Sequence, residues 1–252
     1  MKFSYLIILL SLTNFSFAQT IEQIRSDSDA IAFIRTNFPA LDSFRYAVSS
    51  GSDPSENRKW DVSDLDKNSK PDLLITGTVD RLRNMAFVIL AEADNNYKLI
   101  DVTPGGYFLI PVSVIKEIGD EQVIILKQSV GTKVWSDTLT HMFGVFLKYN
   151  SSVQARKISL LHYRSTSCFG ACPVYKLIID SSNATLEAEA YIVNSDDTLR
   201  GTYYSKLAPE KFNELTELVN YIDLSSLKNF YSVSMTDQPS GIIEIVFTDG
   251  SF

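Results

Sequence analysis

Two histidines and two cysteines are all that 252 residues offer of the side chains most used for transition-metal ligation and nucleophilic chemistry. A Ser-His-Asp site would have to draw on His141 or His162, and neither sits in a catalytic motif. Gly-x-Ser-x-Gly, His-Glu-x-x-His, a phosphate-binding glycine loop and the dinucleotide fingerprint are all missing. The chain therefore reads more readily as a non-enzyme than as an enzyme. Basic residues are outnumbered, 23 Lys and Arg against 30 Asp and Glu, and they are not clustered. That excludes the basic stripe that nucleic acid and anionic lipid surfaces select. Beyond the N-terminus no run approaches the roughly 20 apolar residues of a membrane span. Neither internal repeats nor low-complexity tracts occur. Apolar side chains, by contrast, are plentiful: 45% of the chain is hydrophobic and 15 residues are Phe, enough for a substantial core.

Residues 1–18 read as a secretory signal peptide. Lys2 supplies the positive start, Tyr5 to Leu12 a short apolar run, and Ser16-Phe17-Ala18 the small residues of a cleavage site. Cleavage before Gln19 leaves no cysteine there to carry a lipid. The expectation is a protein of the periplasm or the extracellular space.

Ser28-Asp29 ahead of Ala30-Ile31-Ala32-Phe33-Ile34 predicts a helix start, Pro39 a stop, and Ile31, Ile34 and Phe38 a buried face. From about Trp60 to Tyr149 the pattern turns strand-like at Leu73–Ile75, Ala86–Leu90, Val112–Ile115, Val123–Leu126 and Phe143–Leu147, with turn-forming residues between. Asn150-Ser151-Ser152 marks a boundary. Strands resume at about Lys157–Tyr163, Val174–Ile179, Thr185–Val193 and Leu199–Tyr204. A helix opened by Ala208-Pro209-Glu210 follows, with Phe212, Leu215, Leu218, Val219 and Ile222 as its buried stripe. A last strand, Ile242–Phe247, runs into the hairpin signal Asp249-Gly250. The predicted class is α+β. Two small domains, 20–150 and 155–252, would each hold a mostly antiparallel sheet with one main helix, and the missing return arm suggests that the second is cut short.

Cys168-Phe169-Gly170-Ala171-Cys172-Pro173 contains both cysteines. Residues four apart on a helix place their Cβ atoms about 5–6 Å apart, whereas a disulfide needs roughly 3.5–4.5 Å. Gly170 frees the backbone between them, and Pro173 pushes Cys172 toward extended geometry. The stretch is expected to be a tight loop between strands, closed by a structural disulfide that holds Phe169 in one orientation. A ring this small is worth about 2 kcal/mol in the chain-entropy model. The alternative is redox or metal chemistry. Cys-x-x-x-Cys-Pro resembles the copper site of periplasmic Sco-type chaperones, which have a thioredoxin-like scaffold and need a distant histidine ligand. Two thiolates and an imidazole suit Cu(I).

A wider resemblance covers residues 157–252. Ile158-Ser159-Leu160, Cys168 to Tyr175, Phe212 and Leu215, Phe230-Tyr231 and Thr236-Asp237-Gln238-Pro239 are together similar to an uncharacterised bacterial secreted domain marked by Cys-Phe-Gly-x-Cys-Pro-x-Tyr. The resemblance implies membership of that family and no activity. Phe169 and Tyr175 are its candidate binding residues.

Asp64-Leu65-Asp66-Lys67-Asn68-Ser69-Lys70-Pro71-Asp72 puts side-chain oxygens at loop positions 1, 3, 5 and 9. That spacing folds Asp64, Asp66, Asn68 and Asp72 toward one point, as calcium requires. With Leu73-Leu74-Ile75 it resembles a single blade motif of the FG-GAP or VCBS type, but Ser69 stands where that pattern has glycine, and Lys67 and Lys70 add positive charge. Ile75 at position 12 excludes an EF-hand. The competing reading is a solvated Asx-type turn. The reading as a whole is an exported, non-catalytic envelope or secreted binding protein with a structural disulfide. Its partners would be an envelope protein or a glycan, with calcium as the one candidate cofactor. A thiol-redox or copper-handling protein acting through Cys168 and Cys172 is the alternative.

Overall fold

The computed structural model describes residues 20–46, 59–80, 83–103, 112–130, 133–169, 172–190, 200–224, 227–232 and 237–250. The expected signal peptide lies outside them. The described residues hold two α-helices and thirteen strands in three antiparallel sheets, so the chain is mainly sheet with some helix. It divides into two compact units between Leu147 and Lys148.

In the first unit α1 spans Asp27–Asn37. It starts earlier than Ser28-Asp29 suggests, because Ser26 is the residue that caps it: the Ser26 Oγ accepts the Asp29 N–H at 3.2 Å. Asp27 and Asp29 then sit in the first turn, where negative charge opposes the helix dipole. The inward face is in part the expected one, with Ile34 in the core and Phe38 packed against it. Ala30, Phe33 and Ile34 are fully buried, while Ile31 is only half-buried. Phe33, the largest apolar side chain of the helix, takes the core position and meets the Tyr97 ring edge-on at 4.8 Å.

The helix packs on a sheet of β1 (Trp60–Ser63), β2 (Asp72–Val79), β3 (Arg83–Ala91) and β4 (Tyr97–Asp101), paired in that order. Leu73, Ile75, Phe87 and Ile89 of β2 and β3 face α1. Leu74, Ala86, Val88 and Leu90 face the other way, against Ile124 and Leu126 of a second sheet. Burial on both faces is why β2 and β3 read as unbroken apolar runs rather than alternating ones. The second sheet is β5 (Val112–Ile118), β6 (Glu121–Val130), β7 (Lys133–Met142) and β8 (Val145–Lys148), again in chain order. Phe143, expected in a strand, instead makes the β7–β8 turn with Gly144, at φ +54° and +76°. The first unit is thus helix, sheet, sheet. The central layer permits no bulk at Gly77, where an added Cβ would lie 2.3 Å from Phe44 Cζ and 2.5 Å from the Arg45 carbonyl oxygen.

The second unit has β9 (Ile158–Ser165), β10 (Val174–Ile179), β11 (Asn183–Ala190), β12 (Gly201–Lys206), α2 (Pro209–Tyr221) and β13 (Gly241–Phe247). Its sheet runs β12-β11-β10-β9-β13. Ile192 and Val193, expected on β11, fall outside the described residues. Phe212 and Val219 of α2 pack on Ile158, Leu161 and Phe247. The helix ends at Tyr221, so Ile222 is its C-cap rather than part of its stripe. On the sheet face away from α2, His162 meets Glu244 at 3.4 Å and Lys176 meets Glu187 at 3.9 Å. Asn150 fastens the chain's entry to the end of α2: its N–H donates to the Tyr221 hydroxyl at 3.1 Å and its Nδ2 to the Tyr221 carbonyl at 2.8 Å.

Candidate functional site

The acidic turn joins β1 to β2. Its four oxygen-bearing residues are interlocked. Asp64 Oδ1 accepts the Asn68 N–H at 3.0 Å and Oδ2 the Ser69 N–H at 2.9 Å. Asp66 Oδ1 accepts the same Asn68 N–H at 3.2 Å, and its Oδ2 accepts from Asn68 Nδ2 at 3.1 Å. Asn68 Oδ1 accepts the Lys70 N–H at 2.8 Å, and Nδ2 also donates to the Ala91 carbonyl at 2.8 Å. Asp72 lies deepest. It is fully buried, with Oδ2 accepting the Leu65 N–H and Oδ1 the Ala91 N–H, both at 2.8 Å. One carboxylate at the start of β2 therefore ties the turn to the end of β3.

Carboxylate oxygens of Asp64, Asp66 and Asp72 lie within 4.8 Å of one another. Burial pushes the Asp72 carboxyl up to about 6, against the pull of the backbone N–H groups of Ala91, Leu65 and Asp66, and the charge of Asp66 adds to the rise. Two departures from the calcium-loop pattern find local solutions. Ser69 takes the left-handed bend itself, at φ +67°, a conformation that costs a non-glycine residue about 1–2 kcal/mol. The two lysines carry their ammonium groups to other partners: Lys67 Nζ reaches Glu121 Oε1 at 2.7 Å and Lys70 Nζ the Glu92 carbonyl at 2.6 Å. Those partners are 54 and 22 residues away in sequence, which is why spacing within the loop gave no sign of them. Carboxylate oxygens are the donor type that a hard cation takes. Among the described residues no histidine or glutamate joins the group.

In the second unit Cys168 and Cys172 form a disulfide in the β9–β10 loop, with their Cα atoms 5.7 Å apart. The loop is fixed at its base. Ser165 Oγ donates to the Pro173 carbonyl, the Thr166 N–H to the Ser240 carbonyl at 3.0 Å, and the Ser240 N–H back to Thr166 Oγ1 at 2.9 Å. The exchange with Ser240 crosses 74 residues and has no local signature. Phe169 stands 89% exposed beside the bond. Tyr175 is placed differently: it is half-buried against Tyr163, ring centroids 5.5 Å apart, and burial raises its hydroxyl above the ordinary range with Tyr163 adding to the shift. His162 is directed to Glu244 on the open face of the sheet.

Residues 159–251 match the family model of a domain of unknown function, DUF6438. That match covers the disulfide loop and most of the second unit, and less than half of the chain. No curated protein and no solved structure matches. Among the described residues no helix is long and apolar enough to cross a membrane.

Proposed function

We propose that this chain is an exported, non-catalytic binding protein whose second unit presents Phe169 on a disulfide-closed loop to a protein of the cell envelope. The observation that carries the reading is the full display of a large apolar ring beside a covalent clasp, on a loop whose base is pinned to Ser165 and Ser240. An exposed phenylalanine gains nothing for the fold, whereas a rigid one enters a partner's pocket with little entropy left to lose. Site-specific photo-crosslinking tests this: Phe169→p-benzoylphenylalanine should give one discrete adduct in the envelope fraction, and the same replacement of exposed Thr248 none. Absence of an adduct at position 169 counts against the reading. Insulin reduction by the native protein would move the loop to thiol exchange instead.

A second reading rests on the acidic turn. Three carboxylates within 4.8 Å, one of them buried with its charge disfavoured, form a place where calcium would act as a structural ion. Calcium at millimolar concentration should raise the melting temperature of the first unit, and Asp64→Ala should abolish the rise. No shift in the wild type would leave the turn as a hydrogen-bonded staple alone.

A further inference from the structure

Among the described residues the three sheets leave six strands at their edges. Five of these carry buried or half-buried residues. β12 carries none: every residue from Gly201 to Lys206 is exposed, with Tyr204 at 80%. The strand is held by its ladder to β11, which runs without a break in register from Asn183 opposite Lys206 to Ala188 opposite Gly201. At the end of that ladder the Leu207 N–H donates to the Ser182 carbonyl at 2.8 Å. Antiparallel bonding alternates along a strand, so Gly201, Tyr203 and Ser205 turn their main-chain groups to β11. Thr202, Tyr204 and Lys206 turn theirs outward. Among the described residues these outward groups meet no main-chain partner; the Lys206 carbonyl accepts only the neighbouring Ser205 Oγ, at 3.3 Å. The usual protections of an edge are missing too. β12 has no proline and no bulge, and its single charge stands at its last residue.

Such an edge takes up an added strand, and the residues it displays fit a second copy of itself. Thr202, Tyr204 and Lys206 share the face of Lys176 and Glu187, and Glu187 lies directly across from Thr202. Laid antiparallel on itself about Tyr204, β12 sets the two Tyr204 rings side by side and each Lys206 beside the other copy's Thr202. Lys206 is exposed and has no acidic partner among the described residues. In this register it stands two strand spacings, roughly 10 Å, from the other copy's Glu187, a gap that lysine and glutamate side chains span together. No like charges meet, and the aromatic pair adds its own contact. We propose that β12 pairs with β12 of a second copy across a two-fold axis, joining two five-stranded sheets into one. The pairing does not depend on the reading of Phe169.

Sedimentation equilibrium of the full chain tests it. Between about 5 and 500 µM the protein should pass from monomer to dimer with a Kd on the order of 10–100 µM, because a strand contact about 20 Å long covers less than a standard interface. Tyr204→Pro should abolish the dimer and leave the ladder to β11 intact, since the N–H it removes points outward. Its far-UV spectrum and the melting temperature of dilute protein should match the wild type. Hydrogen exchange reads the same edge in the wild type, with no substitution. The Thr202, Tyr204 and Lys206 amides should slow as the protein is concentrated, while those of Tyr203 and Ser205 are protected at every concentration. A monomer throughout that range, outward amides indifferent to concentration, or a dimer that survives Tyr204→Pro overturns the proposal. So does association beyond the dimer, which would require two different edges.

Discussion

Asp72→Asn separates the charge of the deepest carboxylate from its shape. The variant keeps an acceptor for one of the Leu65 and Ala91 N–H groups and turns an NH₂ toward the other, so that N–H and the amide's own hydrogens are buried without acceptors, each at a cost of about 1–3 kcal/mol. Against this, it removes a charge that burial disfavours: a carboxyl raised from 3.8 to about 6 carries up to roughly 3 kcal/mol of penalty when ionised. The two effects oppose each other at neutral pH, so the informative quantity is the pH dependence. An acid whose folded value lies above its unfolded one binds more protons when folded, and acidification through that interval stabilises the fold. Between pH 7.5 and pH 5 the wild type should gain about 1 kcal/mol from Asp72, and the variant none of it. Asp27, Asp29 and Asp180 are held below the ordinary carboxylate range, so their contributions are lost only at lower pH. His141 acts in the opposite sense. Burial lowers its value, so the unfolded chain takes up its proton first and acidification costs stability, equally in both proteins. Urea unfolding in chelator, followed by tryptophan fluorescence, reads the first unit alone, because both tryptophans, Trp60 and Trp135, precede Leu147. If wild type and variant respond to pH in parallel, within about 0.5 kcal/mol, Asp72 does not carry the raised value.

Gly77→Ala should destabilise the first unit by about 3 kcal/mol, since the added methyl meets the Phe44 ring and the Arg45 carbonyl with backbone on one side; a loss below about 1 kcal/mol in the same urea assay would show that the Phe44 segment yields. Ser69→Gly should raise stability by about 0.5–1 kcal/mol, the relief of a left-handed φ less the entropy glycine adds to the unfolded chain. Thermal melts check it, and a lowered melting temperature would mean that the serine side chain contributes more than the bend costs.

The architecture was legible where apolar pattern and burial agree. β2, β3, β10 and α2 are marked by runs and stripes that have only one way to be buried. β1, β4 and β7 were not separately marked. β7 carries Trp135, Asp137 and His141 on the side that meets the other sheet, and polar residues at such positions erase the alternation that betrays a strand. Division of the first unit's strands between two sheets is a matter of which apolar faces meet, and nothing local to any strand encodes it. The acidic turn shows the same limit from the other side. Loop spacing suffices to gather Asp64, Asp66 and Asp72, but the partners that draw Lys67 and Lys70 away, Glu121 and Glu92, arrive from other strands.

Fold staple and cation site at Asp72 are not exclusive, and their coupling decides between the readings of the turn. A carboxylate has about four acceptor positions, and the Leu65 and Ala91 N–H groups take one each, so acceptor positions are left for an ion beside those two bonds. A bound cation favours the ionised form and pulls the carboxyl back toward the ordinary range. By linkage, calcium affinity must then rise with pH through about 6. Saturating calcium must also erase the stabilisation that acidification otherwise brings to the wild type. Repeating the pH series of unfolding with calcium in place of chelator tests both at once. Should the stability gain at pH 5 survive saturating calcium, any ion that binds sits away from Asp72, and the turn owes its acidic residues to the hydrogen bonds that hold β2 against β3.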